Sequence, residues 1–244
     1  MVRGFYDLGS GMLTQSRKLN AISNNIANVN TVGFKKSDVT ERAFGDMVID
    51  RSDGRKTAIG SAALMDTADE SVPDFSQGDL KETGRGLDFA IAGDGFFAVQ
   101  GGGGTVYTRN GSFNVDGDGY LVLKGVGRVL GRNGGAILLG TDDISSDGQG
   151  NLFAGDRYAG QLGVYNFADT AGLSTSGYGL YTGGGAAPAA SPRILWKSVE
   201  LSNADMAEEM TDAIASQRSL QTCSEALKMY DAVLDQAVSE IPKL

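Results

Sequence analysis

Apolar side chains near both ends of the chain recur every three or four residues, which is the spacing of one helix face. Near the N-terminus this spacing predicts a helix over residues 4–27, with Gln15 taking the place of one apolar side chain. Because Gly4, Gly9 and Gly11 each cost about 1 kcal/mol relative to alanine inside a helix, this helix is expected to need a partner. The predicted seam of the helix comprises Phe5, Leu8, Met12, Leu19, Ile22 and Ile26.

The same spacing returns near residue 203 and continues to Pro242, which predicts a second helix. Roughly 38 residues at about 1.5 Å each give a length of about 57 Å. Ser202 or Asn203 is expected to cap its N-terminus, where acidic side chains of the first turn face the positive helix end. Because both helices show heptad spacing, they are predicted to pair as a coiled coil. The second seam includes Met206, Met210, Leu220, Leu227 and Leu234.

Between the helices the pattern changes to a period of two residues. Residues 87–99 predict two short apolar strands around a Gly-Asp-Gly turn, and residues 105–123 predict further strands separated by Asn-Gly and Asp-Gly turns. The predicted fold class is α+β, with a central, mainly antiparallel β domain. The predicted divisions are an N-terminal helix over 1–37, an extended linker over 38–74, the β domain over 75–170, a flexible connection over 171–200 and a C-terminal helix over 201–244.

Charge and composition narrow the function classes. The net charge of −9 argues against a nucleic-acid binder, and no apolar stretch is long enough to predict membrane insertion. Residues 1–42 carry six basic and three acidic side chains, whereas residues 203–244 carry three basic and eight acidic ones, so the ends are complementary in charge. The absence of histidine excludes serine–histidine, cysteine–histidine and histidine–metal chemistry. The single cysteine, Cys223, excludes an intrachain disulfide and is predicted to be a packing residue.

Two glycine-rich motifs superficially suggest ligand binding. Residues 114–125 place acidic side chains at alternate positions, as in a calcium loop, but Gly125 stands where the bidentate acid is required and the flanks predict strands. The glycine clusters at 101–104 and 125–131 lack the phosphate-loop pattern. We therefore predict turns at these places, and no catalytic residue, cofactor or metal site.

Three separated stretches resemble the rod and hook axial proteins of the bacterial flagellum. They are "GMLTQSRKLNAISNNIANVNTVGFKK" at 11–36, "GDLKETGRGLDFAIAGDGFFAV" at 78–99 with "YTRNGSFNVDGDGYLV" at 107–122, and "LSNADMAEEMTDAIASQRSLQ" at 201–221. The sequence departs from the family pattern at Arg85 and Gly86, where Asn-Pro is frequent, and at Leu220, where an aromatic residue is common.

The resemblance implies a structural subunit and not an enzyme. Both terminal helices would pair in a coiled-coil layer around an axial channel, with the β domain outside. The subunit would be exported by the flagellar type III apparatus without a cleaved signal peptide, and would assemble helically with its own copies and with other rod and hook proteins outside the inner membrane. The short chain favours a rod subunit over a hook subunit, and a proximal over a distal rod position.

Two other function classes remain as alternatives. A secreted β module that binds cell-wall glycan would show an exposed aromatic platform. A histidine-free glycan hydrolase would need two acids about 5–10 Å apart in a cleft.

Two groups of residues are predicted to serve assembly. The asparagine side chains at the end of the first helix are expected to satisfy backbone groups there and to set one register between subunits; a local cap with a solvated turn is the alternative. Gly33 is expected in a left-handed conformation, and Phe34 is expected to anchor the chain against a neighbour. The N-terminal group is Asn24, Asn25, Asn28, Asn30, Thr31, Gly33 and Phe34, and the central group is Gly78, Leu87, Asp88, Gly93, Gly95, Phe96 and Phe97.

Overall fold

The structure, a computed structural model, describes residues 2–43, 46–50, 58–63, 66–170, 172–177 and 179–240. The chain forms two compact units, each assembled from parts that are distant in sequence. The first, here the helical unit, comprises Met1–Ala27, Ser37–Val72 and Asp205–Leu244. The second, here the β unit, comprises Asn28–Lys36 and Pro73–Ala204. Among the helices of the described residues, none has the length and apolar character needed to cross a membrane.

The described part of the helical unit contains two long helices and four strands. The helices are α1 (Val2–Ala27) and α2 (Met206–Glu240), at the positions that the apolar spacing predicts. The strands are β1 (Ser37–Ala43), β2 (Asp46–Asp50), β3 (Ala58–Ala63) and β4 (Asp66–Pro73). β1 pairs with β4, and β2 pairs antiparallel with β3. The segment 38–74, predicted as an extended linker, therefore consists largely of paired strands.

The N-terminus of α2 is capped by Asp205, two or three residues later than predicted. The Asp205 carboxylate accepts hydrogen bonds from the backbone N–H groups of Ala207, at 2.7 Å, and Glu208, at 3.4 Å. The two predicted caps form other hydrogen bonds instead. Ser202 Oγ accepts from the N–H of Ala204, and the Asn203 side chain bonds to backbone groups that are distant in sequence. A carboxylate is well suited to this position because the helix N-terminus is positive.

Within the described residues, the β unit contains sixteen short strands, and every pairing between these strands is antiparallel. Its largest sheet has the strand order β16-β17-β8-β7-β11-β10-β9. In addition, β15 pairs with β7, and β18 pairs with β15. The strands are β5 (Leu80–Glu82), β6 (Phe89–Ile91), β7 (Phe96–Gly101), β8 (Gly104–Thr108), β9 (Asn114–Val115), β10 (Leu121–Leu123), β11 (Gly127–Val129), β12 (Ser145–Ser146), β13 (Asn151–Ala154), β14 (Arg157–Gln161), β15 (Val164–Asn166), β16 (Ser174–Thr175), β17 (Leu180–Thr182), β18 (Ala187–Pro188), β19 (Ile194–Trp196) and β20 (Ser198–Glu200).

Strand β7 separates two apolar clusters. Its alternate side chains point to opposite faces, so Phe97 and Val99 join the larger cluster while Phe96 and Ala98 join the smaller one. In the smaller cluster, Phe96 makes edge contacts with aromatic neighbours. A strand buried on both faces explains the continuous apolar run at residues 96–99.

The β unit is larger than the predicted range of 75–170. β19 pairs with β6 and β20 pairs with β5, so residues 194–200 belong to sheets that begin near residue 80. The Gly-, Ala- and Pro-rich composition of 183–192 suggested a flexible connection, but the short apolar strands that follow it are built into the β unit. The asparagine-rich segment 28–36 also lies in this unit.

Candidate functional site

The two terminal helices pack against each other in an antiparallel arrangement. A Cβ atom on Gly4 would lie 2.6 Å from Tyr230 Oη, and one on Gly11 would lie 4.0 Å from Cys223 Sγ. Further along, Asn25 binds Glu209. Along α1 these contacts are separated by seven and then fourteen residues, and along α2 by the same numbers in the opposite direction. Both separations are multiples of seven, so the contact repeats with heptad spacing.

Small and polar residues, as well as part of the predicted seams, occupy the buried and partly buried positions of the two helices. Leu8, Leu220 and Leu227 lie at least partly buried, whereas Phe5, Met206, Met210 and Leu234 are exposed. Met12, Leu19, Ile22 and Ile26 are partly buried. Other buried or partly buried positions at three- or four-residue spacing are Gly4, Gly11, Thr14, Lys18, Ala21 and Asn25 on α1, and Glu209, Ala213, Ser216, Cys223 and Tyr230 on α2.

Asn25 connects three elements of the helical unit. Its side chain is 1% exposed, and its amide nitrogen donates to both Glu209 carboxylate oxygens, at 3.1 and 3.2 Å. The same amide group bonds the backbone of Ser37, at 3.0 Å to its N–H and 3.2 Å to its carbonyl oxygen. Asn25 thus joins the end of α1 to the start of β1 and to α2. All of these bonds are within one chain.

The remaining members of the predicted cluster lie in the last turn of α1 or in the turn that follows it. The Asn28 carbonyl accepts from the N–H of Thr31 at 2.9 Å, and Thr31 Oγ1 donates to Asn28 Oδ1 at 3.2 Å. Asn24 and Asn30 are exposed. Asn28 therefore bonds to Thr31 within this turn, and Asn24 and Asn30 lie at the surface of the single chain.

Gly33 and Phe34 fix the chain where it enters the β unit. Gly33 has a φ of 68°, and a Cβ atom on it would lie 2.3 Å from the backbone nitrogen of Asn110. Only glycine meets both conditions without strain. α1 ends at Ala27, so this left-handed residue follows the helix by six positions. Phe34 is buried within its own chain, in contrast to the expectation that it packs on a neighbour.

A buried cluster of three charged side chains includes Lys35, the residue that follows Phe34. Lys35, Arg109 and Glu200 are 1%, 2% and 0% exposed. Lys35 Nζ lies 2.5 Å from Glu200 Oε1, and Arg109 Nη1 lies 3.2 Å from Glu200 Oε2. Lys35 also donates to the Ser76 carbonyl at 2.6 Å. Two cations thus share one anion, and the group joins segments that are up to 165 residues apart.

Burial changes the pKa of one member of this cluster, Lys35. Desolvation lowers the pKa of Lys35 below its ordinary value of 10.5, while the hydrogen bond and charge of Glu200 oppose the decrease. Between the lowered pKa and 10.5 the unfolded chain binds more protons than the folded one. The contribution of Lys35 to stability therefore rises with pH across that window.

Residues of the central motif complete the surroundings of the cluster. The Gly78 N–H donates to Glu200 Oε1 at 3.1 Å, and the Gly93 carbonyl accepts from Arg109 at 2.8 Å. The Arg109 guanidinium lies over the Phe96 ring, 5.2 Å from its centroid. The central and N-terminal motifs therefore meet at one buried site, although they are far apart in the sequence.

The other residues of the central motif serve the core. Leu87 and Phe97 belong to the larger apolar cluster, and Gly95 directly precedes β7. Asp88 is buried and accepts from Thr83 Oγ1 at 2.8 Å, from Arg85 at 3.0 Å and from Ser112 Oγ at 3.1 Å.

The sequence prediction missed Lys35, Arg109 and Glu200. A lysine pair after an aromatic residue is typical of a solvated turn, and buried charges are rare. Two sequence features could have indicated two of these residues. Lys35 lies at the end of the first quoted motif, and Glu200 ends the stretch "SVE" at 198–200, just before the third quoted motif.

Three family models match successive parts of the chain. A model described as flagella basal body rod protein matches residues 5–35. A model described as flagellar hook protein FlgE/F/G D1 domain matches residues 90–151, and one described as flagellar basal body rod FlgEFG protein C-terminal matches residues 197–240.

Curated relatives match the chain over nearly its whole length. The flagellar basal-body rod protein FlgG of Bacillus subtilis is 37% identical over 267 residues, covering 98% of this chain and 99% of the relative. The flagellar basal-body rod protein FlgF of Caulobacter vibrioides is 32% identical, with 96% and 95% covered. The flagellar hook-basal body complex protein FlhO of Bacillus subtilis is 28% identical, with both chains fully covered.

Proposed function

Because the chain belongs to the family of flagellar basal-body rod proteins, we propose that it is a structural subunit that builds the rod by packing its α1–α2 pair against the pairs of neighbouring copies. Repetition of this contact forms a shaft that transmits torque and encloses an export channel. Other rod and hook proteins are the neighbours at its ends. The short chain favours a proximal position, which immunogold labelling of isolated basal bodies tests.

Exposed apolar side chains on the helices carry this proposal. Met206, Met210 and Ile214 are 41%, 48% and 54% exposed and follow one another at four-residue spacing along α2. On α1, Phe5 and Leu13 are 45% and 55% exposed. Large apolar residues that recur at the surface mark protein–protein contact sites. Of the predicted seam residues, Phe5, Met206 and Met210 are therefore available to a neighbouring copy.

The heptad contact between α1 and α2 supports the same arrangement. The small inward-facing residues bring the helices together, and larger apolar residues at adjacent positions remain outside. A coiled-coil layer in which each helix has partners on two sides would use both sets of positions.

Acidic substitutions in the exposed row test the proposal. Met210→Glu with Ile214→Glu should abolish rod formation and swimming, because the new charges would be buried between copies. Thr211→Glu with Thr222→Glu is the matched control, since both threonines are exposed and Thr211 is rotated by about 100° from Met210. Circular dichroism verifies that both proteins remain helical. Complete basal bodies in cells carrying the first pair would contradict the proposal.

A further inference from the structure

A groove on the β unit runs beside the turn Arg132–Gly135. Two adjoining cavities of about 400 and 210 Å³ form it, and Arg132 and Gln161 line both. Backbone hydrogen bonds fix its walls: Gly131 N to Gly135 O at 2.8 Å, Gly134 N to Gly131 O at 2.9 Å and Arg132 N to Gln161 O at 3.1 Å. The groove is therefore preformed and does not depend on a flexible loop.

Two exposed arginine side chains give the groove a positive charge. Arg132 and Arg193 line it, and neither forms an ion pair or a side-chain hydrogen bond with the residues that the structure describes. No acidic side chain lines either cavity within that part of the chain. By contrast, Arg128 in the same unit pairs with Asp118 at 2.8 Å. In a chain of net charge −9, two such arginines in one groove are suited to an anionic ligand.

An aromatic ring and two amide groups lie with the arginines. Tyr158 is 56% exposed, and its edge contact with Phe153, at 5.8 Å between centroids, orients its ring. The Gln161 amide nitrogen donates to a main-chain oxygen at 3.2 Å, and the Asn133 amide oxygen accepts from a main-chain N–H at 3.1 Å. The opposite end of each amide remains for a ligand, so the groove offers one acceptor and one donor.

We propose that this groove binds a carboxylate-bearing polysaccharide. Guanidinium groups match carboxylates in geometry and charge. The face of an aromatic ring packs against the C–H face of a sugar, and amide groups bond hydroxyl and N-acetyl groups. An apolar peptide or a lipid tail would require an apolar groove, and nucleic acid would require a basic chain. The proposal concerns the surface of the β unit and does not depend on the role of the helices.

Co-sedimentation of the full chain with peptidoglycan sacculi tests the proposal, after phosphate polymers have been removed from the sacculi. We expect saturable binding, with hyaluronan as an effective soluble competitor. Polyglutamate at equal carboxylate concentration supplies charge without sugar and should compete poorly. Arg132→Ala with Arg193→Ala should weaken binding by at least about tenfold, and Tyr158→Ala by about fivefold.

Lys81→Ala with Lys124→Ala removes the same charge from exposed lysines that do not line the groove, and it should leave binding unchanged. The proposal is overturned if the wild-type chain does not bind sacculi. It is equally overturned if polyglutamate competes as well as hyaluronan, or if the lysine pair weakens binding as much as the arginine pair. Rod assembly in cells carrying the arginine variants is a separate measurement, so the two proposals succeed or fail independently.

Discussion

Replacing Glu200 with glutamine should destabilise the β unit strongly. Glu200 accepts from Lys35, Arg109 and the Gly78 N–H at 2.5, 3.2 and 3.1 Å, and its side chain is fully buried. Glu200→Gln keeps the shape but leaves two buried cations without their shared anion. Removal of one partner from a buried ion pair costs about 3–5 kcal/mol. We expect a decrease of that size in the free energy of unfolding.

Tryptophan fluorescence during urea unfolding measures this change. Trp196 is the single tryptophan, and its indole N–H donates to the Gly86 carbonyl at 2.8 Å within the β unit. Asp118→Asn is the matched control, because Asp118 forms an ion pair with Arg128 at 2.8 Å but is 72% exposed. Exposed pairs contribute less than about 1 kcal/mol. Equal effects of the two variants would refute the importance of burial.

A double-mutant cycle then separates the pair from its surroundings. Lys35→Met removes one cation and leaves Glu200 with Arg109, so it should cost about 1–3 kcal/mol. If the two side chains act together, the double variant will lose less than the sum of the single losses, by at least about 1 kcal/mol. Additive losses would mean that the short contact between Lys35 and Glu200 contributes nothing specific.

Three further predictions concern other contacts. Asn25→Ala should lower the stability of the helical unit by about 1–3 kcal/mol, measured by circular dichroism during urea unfolding, because the buried Glu209 carboxylate and the partly buried Ser37 backbone each lose a hydrogen-bond partner. Gly9→Ala should stabilise the helices by up to about 1 kcal/mol, because alanine favours the helix and its methyl group meets no other atom within 4 Å. Gly4→Ala should not stabilise them, because its methyl group would collide with the Tyr230 side chain. Thermal melts of the two variants measure the difference. Burial raises the pKa of Tyr181 to about 12, so its contribution is present below pH 10 and disappears as the pH rises to about 12. Over that interval the wild-type chain should lose roughly 2–3 kcal/mol more than Tyr181→Phe in urea unfolding.

The helices were predictable from the sequence, but the face they present to each other was not. Large apolar residues at 3–4 spacing identify a helix and suggest that its most apolar face is the buried one. In this chain small residues such as Gly4 and Ser216 allow close approach of α1 and α2, and Met206 and Met210 remain exposed. A subunit of an assembly has two kinds of buried face, and a single sequence pattern does not distinguish them.

The buried charged cluster could not be predicted for a different reason. Lys35 and Glu200 are 165 residues apart, so no local pattern connects them. Charged side chains are normally exposed, and their burial follows from the tertiary structure that brings compensating groups together. The antiparallel strands and Asp-Gly turns, by contrast, depend on local chemistry, and β9 and β10 form the hairpin that residues 114–122 predict.

The pairing of Lys35 with Glu200 also affects the order in which the chain can fold. The β unit contains both Asn28–Lys36 and the strand Ser198–Glu200, so almost the whole chain between them must be present before it is complete. Closing a loop of that length costs about 4–5 kcal/mol of chain entropy before the contact is gained. Pairings this distant in sequence slow folding. A chain that begins to fold from either end therefore completes its β unit only when nearly all of its length is available.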